Sequence, residues 1–244
     1  VSFGVDLVAK AYRELFEKHK GKYYITANCP AMVAYIEKFH PELTDNLAPL
    51  VSPMIAMARV IRQIHGNDTE VVFIGPCLAT KSEGASYTGD SKIDAVLTFT
   101  ELRSLFDKSS IQESKLEYSD FDPPTGQKGS MYPISRGILE AAEIDQHLVT
   151  GEVITADGKK DAMKAVKTFG EKIDSIQKHF NLFYNEGCVM GPGTSPNGNK
   201  FFRGHLVEQY TRKRIKNTNR AAWEKEIRKF STLDLSRSFK KDDQ

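Results

Sequence analysis

The spacing of apolar and polar positions changes period several times along the chain, and each change marks an element. Val5, Leu7, Val8, Tyr12, Leu15 and Phe16 recur at helical spacing, which predicts an amphipathic helix over residues 5–19 closed by Gly21. A strand is expected at 22–26, and Pro30 suits the first turn of a helix through 39. After a loop at 41–49, Ser52 and Pro53 read as N-cap and first turn of a helix through 64, with Met54, Ile55, Met57, Ala58 and Ile61 inward. Residues 70–75 and 93–99 are apolar runs suited to strands covered on both faces, and Thr100 with Glu101 is expected to cap a helix through 106. The polar stretch 80–91 reads as a loop, and 109–131, with Pro123 and Pro124, as a long surface excursion. Helices are expected at 136–144, 160–176, 201–215 and 221–230, and strands at 152–155 and 180–184.

Strands alternating with helices predict an α/β fold, mostly parallel sheets with flanking helices, in one large domain or two lobes. Each of the three cysteines lies just past the carboxyl end of a strand-like run: Cys29 after 22–26, Cys77 after 70–75 and Cys188 after 180–184. Open α/β sheets bind ligands at those ends, so the three thiols are placed to converge in a crevice. The spacing equally allows three small buried residues, because no C-x-x-C pair is present. An odd count in a chain of 244 residues does not suggest a disulfide framework. Glycines 187, 191 and 193 crowd Cys188, as expected where backbone must approach something bulky. Free N–H groups at the start of the helix after Cys29 favour a negatively charged ligand there.

Composition is that of an ordinary globular chain, 40% hydrophobic and 27% charged with a net charge of +2, which argues against nucleic acid or an anionic membrane as principal partner. No apolar run approaches the roughly 20 residues of a bilayer span, and no signal peptide is recognised, so a cytoplasmic location with free thiols is expected. The chain begins at Val1 and ends in the polar run from Lys240 to Gln244, and it reads as a piece of a longer protein. The glycine-rich turn at 193–199 lacks the G-K-[ST] ending of a phosphate loop. The basic cluster Arg212, Lys213, Arg214 and Lys216 reads as a solvated helix face. His19, His40, His65, His147, His179 and His205 are read as helix-end or loop residues without ligand spacing, and Trp223 as a core or partner contact.

Three segments carry a resemblance: Thr26-Ala27-Asn28-Cys29-Pro30; Gly75-Pro76-Cys77-Leu78-Ala79-Thr80-Lys81-Ser82-Glu83; and Glu186-Gly187-Cys188-Val189-Met190-Gly191-Pro192-Gly193. Together with Tyr35 to Leu43, Ser52-Pro53 and Ile93 to Thr98, they resemble the C-terminal catalytic region of the iron-iron (FeFe) hydrogenase large subunit, and most closely its sensory-type members. The resemblance implies the cysteine site in a crevice between two lobes. It implies a 4Fe-4S cluster with Cys29 and Cys77 as ligands and Cys188 as a ligand that also bridges to a two-iron subsite, an H-cluster type arrangement. It implies, as partners, other domains of a parent chain or redox proteins.

The departures bear on activity. Catalytic members place a proton-relaying cysteine where this chain has Asn28, whose amide is no acid or base near neutral pH. The fourth cluster cysteine is missing, and its position matches Asn185, a poor iron ligand beside thiolate. Two lysines follow the second ligand in catalytic members, the first contacting a cyanide; here they are Thr80 and Lys81. Phe3 to Leu7 resembles a segment inside the catalytic region, so the part upstream of it is expected to be missing. These features predict a hydrogenase-like cluster domain for sensing or electron relay with little or no hydrogen turnover. An active hydrogenase using Glu83 or Glu186 as proton carrier, and a cluster-free scaffold, are the alternatives; both glutamates are expected to be solvated.

Overall fold

The computed structural model describes residues 1–18 and 20–240; the readings of His19 and of the polar run beyond Lys240 fall outside the described residues. In chain order the elements are α1 (Ser2–Lys18), α2 (Pro30–Phe39), α3 (Pro53–His65), β1 (Val72–Gly75), α4 (Ala79–Ala85), β2 (Ala95–Thr98), α5 (Phe99–Lys108), α6 (Gly137–Ala141), β3 (Val153–Asp157), α7 (Lys159–Ile176), β4 (His179–Phe183), α8 (Lys200–Asn217) and α9 (Arg220–Lys229). β1 pairs with β2, and β3 with β4, both in parallel, as strands joined through helices must. The α/β expectation with short parallel sheets and flanking helices therefore holds.

Each sheet has its own apolar core. Around β1 and β2, α1 and α3 contribute Val5, Val8, Tyr12, Met54, Ile55 and Ala58. Around β3 and β4, α2 and α7 contribute Met32, Ile36, Val166 and Phe169. Phe169 meets Phe180 edge-on with ring centroids 5.2 Å apart, a favoured aromatic geometry.

Five local readings need correction. Residues 22–26 make only bridges at Ile25, to Leu47 and Phe180, because the 3-10 turn Pro41–Asn46 leads the next segment alongside for one residue. Residues 80–91 are not a loop: α4 forms because Thr80, Glu83 and Gly84 make a buried face despite their polarity. β1 is not covered on both faces; Val72 and Ile74 are exposed, since the outward face of the strand borders open cavities where a covering element was expected. The cap of α5 is Thr98, whose hydroxyl accepts from Glu101 N while Glu101 accepts from Thr98 N, a capping box placed two residues before the expected site. His179 begins β4 and His205 lies within α8, so neither is a helix-end or loop residue.

The excursion at 109–131 is irregular but tied down. Arg214 donates to both carboxylate oxygens of Asp120 at 2.6 and 2.7 Å, and Lys213 lies over the Tyr118 ring, so half of the basic cluster is an anchor and not a solvated face. Trp223 donates its indole N–H to Asp6 at 2.9 Å; that buried carboxylate also accepts from Gln127 and Gly129, tying α9 and the excursion to α1.

Candidate functional site

Cys29, Cys77 and Cys188, from three distant segments, line one cavity of about 430 Å³ between the two sheets. Its wall takes Phe73 and Pro76 from the β1 side and Phe183, Asn185 and Gly187 from the β4 side. The lining is mainly apolar, with Tyr132 and α8 residues Leu206 and Tyr210 completing it.

Local folding explains each thiol. Cys29 precedes α2, and the N–H groups of Ala31, Met32 and Tyr184 turn towards its sulfur. The helix start expected after Cys29 is present at Pro30, although the Met32 N–H is shared with the Cys29 carbonyl and is not a free donor. Cys77 sits where β1 ends and α4 begins, with the Thr80 hydroxyl donating to its carbonyl at 2.5 Å. Cys188 follows Gly187, whose φ of +76° is a conformation that side chains disfavour. The loop after it is pinned twice. Gly193 N donates to Pro76 O at 2.8 Å, and the Arg203 guanidinium donates to Val189 O and Thr194 Oγ1, each at 2.7 Å.

Those glycines serve a purpose the sequence did not disclose. A Cβ on Gly191 would stand 2.4 Å from Pro76 O, and one on Gly193 would stand 2.7 Å from the Thr98 side chain. The close approach is thus between the Cys188 loop and the Cys77 loop, and it sets the two thiols on one wall.

Burial pushes the Cys29 and Cys188 thiols up, and each is raised further by neighbouring cysteines, Cys77 for Cys29 and both others for Cys188. Burial and the repulsion of neighbouring sulfurs keep the Cys29 and Cys188 thiols protonated until a cation neutralises them. No three His, Cys, Asp or Glu among the described residues come close enough to share a single ion. Thiols spread around one cavity suit a multi-iron cluster, in which each iron takes its own thiolate, better than a mononuclear site.

Asn28 is 1% exposed and lines the cavity, and neither its amide oxygen nor its amide nitrogen has a hydrogen-bond partner. Buried amides seldom stay unpaired, so this one is set for a group inside the cavity. Its backbone is fixed on both sides: Tyr12 Oη accepts from Ala27 N at 2.8 Å, and Tyr132 Oη donates to Asn28 O. Burial and the neighbouring Cys188 and Cys29 hold Tyr132 a neutral phenol. Asn185 lines the same wall, and its carbonyl accepts from Gly158 and Gly187.

Thr80 and Lys81 part company. Thr80 reaches the cavity, but Lys81 does not line it; its ammonium bonds Val96 O at 3.1 Å and Glu101 at 2.9 Å. Among the described residues no Lys, Arg or His side chain lines the cavity. The donor set therefore fits a thiolate-held cluster and offers no basic side chain for cyanide ligands of a two-iron subsite.

Glu83 is not solvated: it is 5% exposed, lines the cavity and pairs with Arg237 at 2.9 Å. Glu186 is exposed, near Lys200, as expected. Sequence reasoning missed Tyr132, Tyr12, Arg203 and Arg237, which act through contacts between distant segments.

A family model described as iron only hydrogenase large subunit, C-terminal domain, matches residues 1–192. The chain is 31% identical over 160 residues to iron hydrogenase 1 of Clostridium pasteurianum, covering 58% of this chain and 28% of that protein. It is 29% identical over 111 residues to the cytosolic Fe-S cluster assembly factor NAR1 of Sclerotinia sclerotiorum, covering 38% of this chain and 19% of that one. Among solved structures, a variant of apo FeFe-hydrogenase HydA1 from Chlamydomonas reinhardtii superposes with a TM-score of 0.73 at 18% identity, over 97% of this chain and 82% of that one. That likeness concerns the fold. The chain spans about a quarter or less of the curated relatives it matches.

Proposed function

Because the chain belongs to the family formed by the C-terminal domain of the iron only hydrogenase large subunit, we propose that it is a hydrogenase-like domain holding an iron-sulfur cluster of the 4Fe-4S type through Cys29, Cys77 and Cys188, in sensing or electron relay. The observation that carries the reading is the meeting of these three thiols in one cavity beside the unpartnered amide of Asn28. When bound, such a cluster accepts and releases single electrons.

The residues divide the work. The three cysteines hold the irons as thiolates, losing their protons on loading. Ala31, Met32 and Tyr184 donate N–H groups towards Cys29 and stabilise the charge it then carries. Asn28 or Asn185 would serve the iron left without a thiolate, as a hydrogen-bond donor or weak oxygen ligand. Asn28 has no proton to exchange near neutral pH, and Lys81 is held away, so fast hydrogen turnover is not supported. The electron donor or acceptor is another domain of the parent protein or a redox partner.

Anaerobic reconstitution with iron and sulfide tests this. Broad visible absorption that disappears in Cys29→Ala, Cys77→Ala and Cys188→Ala is expected, without hydrogen evolution from reduced methyl viologen. Hydrogen evolution would restore the active-hydrogenase reading, and a colourless, fully stable protein the cluster-free scaffold.

A further inference from the structure

Glu83 is the one carboxylate lining the cavity among the described residues. Its two oxygens are in different situations. Oε1 accepts from Arg237 Nη1 at 2.9 Å, whereas Oε2 is buried without a hydrogen-bond partner. The Ser52 hydroxyl faces the carboxylate and favours its charge without closing a hydrogen bond.

Arg237 belongs to a C-terminal strap, residues 234–240, laid over the segment before α3. Val51 N donates to Leu235 O at 2.9 Å, Arg237 N donates to Pro49 O at 3.1 Å and Leu50 bridges Ser236, while the strap's two ends are tied by Arg59 donating to Asp234 O and Lys240 N donating to Glu37. The guanidinium is partly buried against the rings of Tyr87 and Phe239, 5.8 and 4.8 Å from their centroids. The other titratable groups facing Glu83 are Tyr12 of α1, Tyr87 after α4 and Tyr132, and burial keeps all three neutral phenols. Lys81, on the same helix as Glu83, is turned to Glu101.

An added electron in this cavity is an added negative charge in apolar surroundings, beside a carboxylate and with Arg237 already engaged. The open Oε2 is where a proton is best taken. Burial already pushes the Glu83 carboxyl up, with Arg237 opposing. We propose that Glu83 accepts one proton for each electron that enters the cavity, and that its neutralisation unlocks the strap carrying Arg237; the inference rests on the cluster reading above. The balance is simple. One electron comes from an outside one-electron donor, one proton comes from solvent, an O–H bond forms on Glu83, and reoxidation reverses both. A partly buried guanidinium left without its carboxylate is poorly solvated where it lies, which favours release of the strap.

The test uses the full chain reconstituted with iron and sulfide. Between the pKa of Glu83 in the oxidised protein and its higher value in the reduced one, the midpoint potential is expected to fall by about 59 mV per tenfold drop in proton concentration, the one-electron conversion. Glu83→Gln, which keeps the shape and an acceptor for Arg237, abolishes that slope. Amide exchange at residues 234–240 rises several-fold on reduction by dithionite in the parent. In Glu83→Gln, whose side chain is neutral in both states, and in Arg237→Gln it is fast before and after reduction. A coloured protein with a pH-independent potential, or a Glu83→Gln variant that keeps the slope, overturns the proposal alone. A protein that never colours removes the cluster reading and this inference together.

Discussion

Gly193 donates its backbone N–H to Pro76 O across 2.8 Å, joining the loop that carries Cys188 to the loop that carries Cys77. Neither thiol has to find the other: a backbone hydrogen bond and two glycines without side chains set their loops together.

Gly191→Ala tests that joint. Its added methyl would meet Pro76 O at 2.4 Å, a backbone atom that cannot swing aside. A loss of about 1–3 kcal/mol in urea unfolding is expected, as for other overpacked sites, with weaker cluster retention. Unchanged stability would mean that the loops are free to separate.

Asn28→Ala separates function from stability. A paired buried amide costs about 1–3 kcal/mol to remove, but Asn28 has no partner to lose. The apoprotein is therefore expected to keep its stability, or gain up to about 1 kcal/mol, while the reconstituted protein loses its cluster faster under oxygen. A strongly destabilised apoprotein would show that the amide serves the fold.

His179 sets a pH window. Its Nδ1 accepts from Tyr24 N at 3.0 Å, its ring stacks on Phe16, and burial pulls the imidazole down to about 4. Below its ordinary value near 6.5 the unfolded chain takes up a proton that the folded chain refuses. Apoprotein stability should thus be complete above pH 6.5, decline as pH falls from there to about 4, and change no further from this source below it. His179→Gln should flatten that part of a thermal-unfolding pH series; a parent protein already flat there would contradict the burial argument.

Thr98 caps α5 and packs against the position of Gly193. Thr98→Ala removes one arm of the capping box and is expected to cost about 1 kcal/mol in urea unfolding. Thr98→Ser keeps the hydroxyl and should recover most of it. Equal losses in both variants would assign the effect to packing of the Thr98 methyl.

The sequence is most legible where local rules decide. Pro30 at the first turn places α2 to the residue, and the parallel pairing of short strands follows from their helical connections. It is least legible where tertiary packing overrides polarity. Nothing local says that Glu83 is buried, because its partner Arg237 arrives from the far end of the chain. The exposed face of β1 is hidden from sequence reasoning because an apolar run states affinity for burial and not what lies opposite. At the site, the sequence marks Cys29, Cys77, Cys188, Asn28, Asn185 and Thr80, and all of them line one cavity, whereas Lys81, marked with them, faces β2 and α5.

The most direct measurement is the iron bound per chain after anaerobic reconstitution and desalting, for the parent and for the Cys29→Ala, Cys77→Ala and Cys188→Ala variants. About four irons per parent chain, the content of one 4Fe-4S cluster, and a large loss in every variant are expected. Less than one iron per chain, or the same content with any of the three thiols removed, would contradict a cluster held jointly by them.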